Sequence, residues 1–467
     1  MQLGDLLDDL SLDVAASSLE IDRVEIDSRC CGARSLFFAL PGHGTHGARF
    51  ASDAVARGAV AVVASETMDL AVPVVVVPET QLRALVAHVS ASVTGHPEDG
   101  IDLVGVTGTN GKTSVTTLVS ELARLLGWNG ANIGTLTHER TTPASPELFR
   151  TLAQLTSTFD LQRPRSVVAL EVSSHALDQS RVDGLRFAVA AFTNLSHDHL
   201  DYHGSMEQYF LTKAQLFRSD SAQRAVIWCD DLHGERLAEM TNVPVARVRR
   251  SDATDVESSL SGTTFTWRHL PVSTALVGDY NVDNSLMAMT ILSTLGASDV
   301  QIVGAMTGVH SIAGRFEVVR GRELVIVVDY AHTPEGLHRL LSDVRLVAPR
   351  SRIVTVFGCG GDRDRTKRAE MGSVASNDSE VTIVTSDNPR SESPDSIIDA
   401  VMSGVAPGAT VRRIRDRREA IGAALREARP GDVVVIAGKG HEITQTTGDV
   451  VDSFDDRVVA RELLKGL

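Results

Sequence analysis

VGVTGTNGKT, residues Val104 to Thr113, joins an apolar run to a segment in which apolar residues recur every three or four positions. This pattern predicts a strand, a turn and an amphipathic helix. Gly108 and Gly111 allow backbone N–H groups to surround a phosphate at the helix N-terminus. Lys112 supplies a charge for the terminal phosphates, and the hydroxyl of Thr113 suits Mg²⁺. We predict a nucleoside-triphosphate site, the alternative being an ordinary βα turn that contains Gly-Lys-Thr.

The sequence has 467 residues, 43% of them apolar, and a formal net charge of −15. Its length predicts about three domains. The negative charge argues against nucleic acid or an anionic membrane as the main partner. The four cysteines have neither metal-ligand nor disulfide spacing, which indicates a reducing compartment. The N-terminus lacks a basic signal-peptide start, and no apolar run has the length of a bilayer span, so we expect a cytoplasmic protein. A monomer is our default expectation for the oligomeric state.

Residues 1–97 have the pattern of a small α/β unit, in which short apolar strands alternate with turns. One turn contains Ser28, and a glycine-rich loop, GHGTHGARF, extends from Gly42 to Phe50. Both suit a phosphorylated or sugar ligand. Asp-Ser turns and glycine loops are also common where nothing binds, so the alternative of plain turns stays open.

Two later apolar runs, 167–172 and 188–195, also end in polar residues. Glu171 closes the first run, and His199 follows the second. Because the carboxyl ends of parallel strands line the ligand crevice, we expect both side chains beside Thr113, where they would form a Mg²⁺ shell. The alternatives are a helix cap for Glu171 and a packed core histidine for His199.

Two helices are predicted further along the chain. Lys213 lies on a polar helix predicted for Ser205–Arg218, where a lysine is normally a solvated surface charge. An apolar helix is predicted for 284–296. Asn281 and Asn284 lie one turn apart at its start, which suits helix caps or contacts to a base.

A third α/β unit begins near residue 314, and each of its four apolar strands ends in charged or glycine-rich sequence. These segments are DYAHTP (329–334), GCGGDRDRTKR (358–368), DNPR (387–390) and GKGHE (438–442). Four such strand ends predict a binding crevice. Arg363, Asp387, Arg390 and Glu442 would recognise a ligand that carries both an amine and a carboxylate. The alternative is a solvated rim of charged loops.

Seven motifs in this order resemble those of the Mur ligases: GTNGKT, EVSSH, TNLSHDHLDYHG, DYAHTP, FGCGGDRDRTKR, DNPR and GKGHE. The resemblance covers nearly the whole chain. It implies an α/β protein with a UDP-muramoyl substrate-binding domain at 1–97, a P-loop-type ATP-binding domain with a mainly parallel sheet at 98–313, and a Rossmann-like amino-acid-binding domain at 314–467.

The resemblance also implies an activity. It points to ATP-dependent addition of meso-diaminopimelate to UDP-N-acetylmuramoyl-L-Ala-D-Glu through an acyl phosphate, a step in peptidoglycan precursor synthesis. Two departures affect the acceptor: the loop at 136–140 is shorter than is usual in the family, and His46 precedes Gly47 where an aspartate is common. A ligase with another carboxylate acceptor, folate-type or a secondary metabolite, and a non-catalytic scaffold therefore stay open.

The resemblance assigns residues to roles as follows. The ATP phosphates and Mg²⁺ would be held by Gly108, Thr109, Asn110, Gly111, Lys112 and Thr113. Glu171 and His199 would ligate Mg²⁺, and Lys213 matches a lysine that becomes N6-carboxylated and holds a second Mg²⁺. The acceptor would be contacted by Ser28, Thr141, Thr142, Ser173, Gln179 and Arg181. The nucleotide would also contact Asn284, Arg315 and Asp329. The amino acid would be bound by Arg363, Asp387, Asn388, Arg390, Gly438 and Glu442, because arginine in DNPR accompanies meso-diaminopimelate in this family.

Overall fold

A computed structural model of the protein describes residues 1–7, 13–42, 45–321 and 324–466. Two positions of the glycine-rich loop, 43 and 44, lie outside the described residues. Contacts group the chain into two compact units, Met1–Arg249 with Leu286–Ile302 and Arg250–Ser285 with Val303–Leu467. The α/β class is confirmed in both units. The domain boundaries expected at residues 97/98 and 313/314 stay predictions.

The N-terminal part of the first unit contains a four-stranded parallel sheet in the order β1-β2-β3-β4. Alternate residues of the second strand face opposite sides, since Leu36 and Phe38 join one buried cluster and Phe37 joins another. The elements are α1 (Leu3–Leu6), α2 (Val14–Ser17), β1 (Arg23–Glu25), β2 (Ser35–Phe38), α3 (Ala51–Ala56), β3 (Ala59–Ala64), β4 (Val74–Val76) and α4 (Glu79–Val93), with 3₁₀ turns at Ser28–Cys30 and Gly47–Phe50.

The rest of the first unit is built on a six-stranded parallel sheet in the order β10-β9-β8-β5-β7-β6. The elements are β5 (Asp102–Thr107), α5 (Lys112–Leu125), β6 (Asn129–Ile133), α6 (Ser145–Ser157), β7 (Ser166–Glu171), α7 (Ser174–Asp178), β8 (Val189–Phe192), α8 (Leu200–His203), α9 (Met206–Ala214), β9 (Ala225–Trp228), α10 (Leu232–Met240) and β10 (Val245–Val248). Strand β5 lies between β7 and β8, so the loop after it is flanked by the ends of both neighbours. The helix predicted for Ser205–Arg218 is α9, with Ser205 as its N-cap, followed by a 3₁₀ turn at Gln215–Phe217.

A three-stranded antiparallel sheet and two helices follow. They are β11 (Ala253–Ser259), β12 (Gly262–Trp267), β13 (Leu270–Thr274), α11 (Asp279–Thr294) and α12 (Asp299–Met306). The prediction that α11 begins at residue 284 is wrong, because the helix begins at Asp279. Buried Val282 extends its apolar face, and Gly278, with a φ of 98°, directly precedes it. Asn281 and Asn284 therefore lie within α11 and do not cap it.

The second unit contains a six-stranded mixed sheet in the order β14-β15-β19-β16-β17-β18, in which only β14 runs antiparallel to its neighbour. The elements are β14 (Glu317–Arg320), β15 (Val325–Asp329), α13 (Pro334–Val347), β16 (Ile353–Phe357), α14 (Lys367–Asp378), β17 (Val381–Val384), α15 (Pro394–Met402), β18 (Val411–Arg413), α16 (Arg417–Glu427), β19 (Val433–Ala437), β20 (Thr444–Thr447), β21 (Val450–Ser453) and α17 (Asp456–Lys465). Strands β20 and β21 form a separate hairpin. No helix in the described ranges combines the length and the apolar character that a membrane span needs.

A buried ion pair joins the first residues of α16 and α17. The side chains of Arg417 and Asp456 are fully buried, and two nitrogens of the guanidinium donate to the two carboxylate oxygens at 2.8 and 2.7 Å. The same guanidinium donates to the carbonyl oxygens of Ser386 (3.2 Å) and Ala437 (2.9 Å). The pair therefore connects the carboxyl ends of β17 and β19, from which two of the predicted amino-acid-binding segments begin.

We predict that Asp456→Ala destabilises the second unit by about 3–5 kcal/mol, because it leaves a buried guanidinium without its carboxylate. Native-state hydrogen exchange of the β17 and β19 amides measures this loss. The control is Glu462→Ala, which removes the exposed partner of Arg418 and should cost less than about 1 kcal/mol. Equal losses in the two variants would contradict the structural role of the pair.

Candidate active site

The loop between β5 and α5 requires glycine at two positions. Gly108 and Gly111 have φ values of 148° and 85°, a region that other residues rarely adopt. A Cβ atom on Gly108 would lie 2.0 Å from the Oγ1 atom of Thr193. Helix α5 then begins at Lys112, so the backbone N–H groups of its first turn face the loop as predicted.

Residues that follow β8 hold this loop in place. The Thr109 N–H group donates to the carbonyl oxygen of Asn194 at 2.9 Å, and the Asn110 N–H group donates to the Asn194 side chain at 2.9 Å. The hydroxyl of Thr193 donates to the Asn110 carbonyl oxygen at 2.5 Å. The ammonium group of Lys112 donates to the carbonyl oxygens of Gly108 (2.9 Å) and Thr109 (2.8 Å), so this cation lies against the loop itself.

The carboxylate of Glu171, at the end of β7, connects three segments. It is 1% exposed and accepts hydrogen bonds from the Thr113 hydroxyl (3.0 Å), the Thr135 N–H group (2.8 Å) and the Thr135 hydroxyl (3.2 Å). The expected proximity of Glu171 and Thr113 is therefore observed. The helix-cap alternative is wrong, because Ser173 caps α7. A Cβ atom on Gly134 would lie 2.1 Å from a Glu171 oxygen, so the approach of the loop after β6 also depends on glycine.

Lys213 is buried beneath the same loop. Its side chain is 1% exposed, its amine donates to the carbonyl oxygen of Gly108 at 2.9 Å, and it lies 4.5 Å from the centre of the Tyr209 ring. Burial, reinforced by the nearby charge of Lys112, lowers the pKa of Lys213 well below its usual value. The expectation of a solvated surface charge is wrong. Phe210 on α9 and Leu216 in the following turn are buried in the core, and Lys213 lies on the same buried side.

His199 lies at the rim of the site. It precedes α8 with a φ of 53°, its side chain is 48% exposed, and its Nε2 atom is 3.4 Å from the Asp198 carboxylate. Partial burial lowers its pKa, and the charges of Lys112 and Lys213 act in the same direction. The core-histidine alternative is wrong because the ring is half exposed. Its ring centre is 5.0 Å from that of His175, whose pKa burial lowers to about 4.

The donor set at this edge suits Mg²⁺. Thr113 and Glu171 offer oxygen atoms, the ligands that this ion prefers, and bound phosphates would complete the coordination. No group of three or more His, Cys, Asp or Glu residues in the described chain is arranged to hold a metal by itself. This arrangement fits an ion that is shared between protein and nucleotide. His199 and Lys213 form no contact with Thr113 or Glu171 among the hydrogen bonds described above, so their assignment as Mg²⁺ ligands stays a prediction.

Five of the six residues predicted to contact the acceptor form one network. The Thr142 hydroxyl donates to the Glu171 carbonyl oxygen at 2.8 Å and accepts from the Ser173 N–H group at 3.0 Å. Arg181 donates to the Thr142 carbonyl oxygen at 2.8 Å and to the Gln179 side chain at 2.7 Å. The hydroxyl groups of Thr141 and Thr135 are within hydrogen-bond distance, 3.1 Å, which links this network to the partners of Glu171.

Ser28, the sixth predicted acceptor residue, lies in the N-terminal sheet region. It is 5% exposed, and its side chain forms a hydrogen bond with the Asp53 carboxylate that lowers the pKa of that carboxyl. In the neighbouring loop, the Nδ1 atom of His46 accepts a hydrogen bond from the Ala48 N–H group at 3.1 Å. His46 therefore orders its own turn.

The second unit brings four of the predicted amino-acid-binding residues together. The Asn388 side chain donates to Glu442 at 2.7 Å. A Cβ atom on Gly438 would lie 2.7 Å from an Asp387 carboxylate oxygen, so the ends of β17 and β19 approach closely only with glycine there. Lys439, which is fully buried, donates to Glu442 at 2.8 Å and to Asn388 at 3.3 Å.

Two arginines flank this group. Arg390 has a φ of 51°, and its guanidinium donates to the Gly361 carbonyl oxygen at 2.5 Å. A Cβ atom on Gly360 would lie 3.2 Å from Arg390 and 3.8 Å from exposed Arg363. Both arginines therefore lie close to Gly360, and their expected contact with a ligand carboxylate stays a prediction.

The predicted nucleotide-binding residues divide between the two units. Asp329 is buried and accepts from the Tyr280 hydroxyl at 3.0 Å and the Phe316 N–H group at 2.7 Å. Burial raises its pKa, and the charge of Arg315 opposes that rise. Asn284 lies one turn after Tyr280 on α11. These three predicted residues belong to the second unit, whereas the phosphate loop belongs to the first.

Three family models match the chain: the catalytic domain of the Mur ligase family at 20–99, the Mur ligase middle domain at 106–292 and the glutamate ligase domain at 314–440. A UDP-N-acetylmuramoyl-L-alanyl-D-glutamate–2,6-diaminopimelate ligase of Geobacillus thermodenitrificans is 41% identical, over 96% of this chain and 95% of the relative. A ligase of the same name from Gloeobacter violaceus is 40% identical, over 99% and 98%. The chain belongs to the Mur ligase family.

Solved structures of other Mur ligases share the fold. A structure of a UDP-N-acetylmuramoyl-L-alanyl-D-glutamate–2,6-diaminopimelate ligase superposes with a TM-score of 0.69 at 30% identity, covering 100% of this chain and 99% of that one. A MurF ligase from Thermotoga maritima, solved in complex with ADP, has a TM-score of 0.64 at 17% identity and covers 95% and 96%. The expected three-domain Mur ligase fold is therefore confirmed.

In this Mur ligase, several side chains that support the site were not predicted. Thr135 and Asn194 hold the phosphate-loop region, Tyr209 lies between Thr109 and Lys213, and buried Lys439 pairs with Glu442. Asn194 and Lys439 lie within the motifs TNLSHDHLDYHG and GKGHE, so their sequence positions carried a signal. Their roles required the strand register, which brings distant loops to one edge.

We predict that Gly108→Ala lowers ATP affinity at least about tenfold, because the new Cβ atom would collide with Thr193 and displace the loop. Isothermal titration calorimetry with a non-hydrolysable ATP analogue measures the affinity. The matched control is Gly127→Ala, which also changes a glycine at positive φ but has no atom within 4 Å of the new Cβ. If both variants bind the analogue as the unmodified protein does, the close approach at Gly108 does not shape the nucleotide site.

Proposed function

We propose that this Mur ligase uses ATP to join an amine of meso-diaminopimelate to the D-glutamate γ-carboxylate of UDP-N-acetylmuramoyl-L-Ala-D-Glu. The observation that carries the proposal is the composition of two strand-end sites. One is a phosphate loop hydrogen-bonded to buried Glu171, and the other combines Asn388 and Glu442 with Arg390. Its relatives at 41% and 40% identity are named for this reaction. The four cysteines of the chain are free thiols, which supports the proposed cytoplasmic location.

The first unit would bind ATP and activate the acceptor. The N–H groups of the loop and the Lys112 ammonium would bind the phosphates, and Thr113 and Glu171 would hold Mg²⁺, which neutralises charge on the transferring phosphoryl group. An acceptor carboxylate oxygen would attack the γ-phosphorus, with ADP leaving, to form an acyl phosphate. Attack by the amine on the acyl carbon would then release phosphate and a proton and leave the amide.

Lys213 would contribute as a carbamate. Its lowered pKa increases the share of uncharged amine at any given pH, and only that form attacks CO₂. The new N–C bond forms with loss of one proton, so the neutral amine beneath the loop becomes an anion with two oxygen atoms that could hold a cation. The resulting anion would attract the Lys112 ammonium group.

The second unit would bind the amino acid. Meso-diaminopimelate carries an amine and a carboxylate at both ends, so it needs cationic and anionic partners at two places. Asp387 and Glu442 would accept from an ammonium group, while the fork of Arg390 would bind the distal carboxylate. L-lysine, which lacks that carboxylate, would leave the arginine without its ligand.

The test measures phosphate release from ATP and Mg²⁺ with UDP-N-acetylmuramoyl-L-Ala-D-Glu and either meso-diaminopimelate, L-lysine or L-ornithine. We expect release with diaminopimelate alone. Release that requires a different carboxylate acceptor, such as a folate, would replace the proposed acceptor and leave the ligase chemistry in place. No release with any acceptor would contradict the proposal.

We predict that Arg390→Ala raises the KM for meso-diaminopimelate about 10- to 100-fold and leaves the KM for ATP unchanged, because charge-assisted hydrogen bonds contribute about 1.5–3 kcal/mol. Steady-state kinetics with each substrate varied separately gives both constants. Arg413→Ala, which removes an exposed arginine of the same unit, is the control. An unchanged KM for diaminopimelate in Arg390→Ala would refute the assignment.

We predict that protein supplied with ¹³C-bicarbonate shows a carbamate ¹³C resonance that is absent from Lys213→Arg. The arginine retains the positive charge but has no amine that forms a carbamate under these conditions. The variant should lose most of its ligase activity, about 100-fold or more, because it retains a cation where an anion is proposed. A carbamate-free unmodified enzyme at full activity would rule out this role for Lys213.

A further inference from the structure

Within the described residues, Arg83, Arg140 and Arg181 are among the arginines of the first unit that form no ion pair with a carboxylate, although the chain carries a net charge of −15. Many other arginines here form ion pairs, as Arg150 does with Glu25 at 2.8 Å. By contrast, Arg83 donates to the carbonyl oxygen of Pro41 at 2.6 Å, and Arg181 donates to Thr142 and Gln179. Throughout the described residues, no carboxylate forms an ion pair with Arg83, Arg140 or Arg181.

The short loop at 136–140, which ends with Arg140, begins in a hydrogen-bonded turn. The N–H groups of Thr137 and His138 both donate to the Gly134 carbonyl oxygen at 3.0 Å. The His138 ring contacts the hydroxyl of Thr151 on α6 at 3.3 Å. On the other side of Arg140, the next two residues are the hydrogen-bonded Thr141 and Thr142 of the acceptor network. The loop therefore ends with an exposed arginine two residues from a direct partner of Arg181.

The charges of these arginines act on one another and on the Ser28 turn. Burial lowers the pKa of Arg181, and the nearby charges of Arg140 and Arg83 lower it further. Arg29 is the main cause of the lowered pKa of Asp27, beside Ser28, and Arg140 contributes to it. The charge of Arg140 therefore acts on a residue of each group of predicted acceptor residues, Arg181 in one and the neighbour of Ser28 in the other. Three like charges held near one another repel, and a bound anion relieves that repulsion.

We propose that Arg83 and Arg140 join Arg181 in an anion subsite that binds an oxyanion of the carboxylate acceptor. Arg181 is already expected to contact the acceptor from the family resemblance, whereas the geometry adds Arg83 from α4 and Arg140 from the short loop. The identity of the acceptor rests on the proposed function. Besides the reacting γ-carboxylate, that acceptor offers two oxyanions, the diphosphate and the α-carboxylate of the glutamate, and guanidinium groups bind both in a fork.

The test is equilibrium binding, measured by calorimetry at about 50 mM salt, where screening is moderate. The probes are UDP, N-acetyl-L-alanyl-D-glutamate and N-acetyl-L-alanyl-D-isoglutamine, in which an amide replaces the α-carboxylate. We expect Arg140→Gln and Arg83→Gln each to weaken at least one anionic probe about tenfold, and Arg140→Lys to weaken it less. A loss confined to UDP identifies the diphosphate as the ligand. A loss with the glutamate probe that disappears with the isoglutamine probe identifies the carboxylate.

The matched control is Arg124→Gln. Arg124 also donates to a backbone carbonyl oxygen, that of Gly130 at 2.7 Å, but it lies in the last turn of α5, away from the phosphate loop. This variant should bind every probe as the unmodified protein does. Circular dichroism and the thermal midpoint check that each variant is folded. Because Arg140 is exposed, we expect its substitution to affect folding least.

The subsite is refuted if the unmodified protein binds none of the three probes, or if Arg83→Gln and Arg140→Gln bind all of them with unchanged affinity. This outcome is separable from failure of the proposed function. Arginine-dependent binding without phosphate release would reject the ligase reaction and retain the subsite. Phosphate release with an acceptor KM that is unchanged by Arg140→Gln would reject the subsite alone.

Discussion

The hydrogen bonds of the Glu171 carboxylate determine how the first unit arranges its site. Glu171 is buried at the end of β7 and accepts from Thr113, at the start of α5, and from Thr135, after β6. A buried carboxylate is costly to desolvate unless its lone pairs are used, so these partners must approach it closely. Gly134 allows that approach, because any larger residue would collide with the carboxylate. Phosphate loop, acceptor network and predicted metal ligand are therefore parts of one hydrogen-bonded assembly.

In the second unit, a buried cation takes the part that the buried Glu171 carboxylate has in the first. Arg417 is fully buried and binds both Asp456 and the carbonyl oxygens at the ends of β17 and β19. The DNPR and GKGHE segments begin within two residues of those carbonyl groups. Lys439 adds a second buried cation that pairs with Glu442. In both units, a buried ion with several hydrogen bonds holds strand ends in place beside the residues that the proposed chemistry needs.

The sequence predicted features that depend on one strand or one motif. It did not predict features that depend on packing between distant segments. The apolar runs before Glu171 and Asp387 each predicted a strand whose end lies beside the ends of its neighbours. The two sheets, one in each unit, confirm both strands. Lys213 could not be recognised as buried, because a helix with mixed composition gives no sign of which face is covered. Asn194 was missed for a similar reason: its contact with Asn110 spans 84 positions of sequence. The start of α11 was missed because Gly278 was not recognised as its entry point.

The most direct test of the central claim follows the oxygen atoms of the acceptor. UDP-N-acetylmuramoyl-L-Ala-D-Glu labelled with ¹⁸O in the glutamate γ-carboxylate would be converted with ATP, Mg²⁺ and meso-diaminopimelate, and the released phosphate analysed by mass spectrometry. Transfer through an acyl phosphate requires one ¹⁸O atom in each phosphate released, with the second retained in the amide. Phosphate without ¹⁸O, released together with amide product, would contradict carboxylate activation at the loop that Glu171 and Lys112 hold.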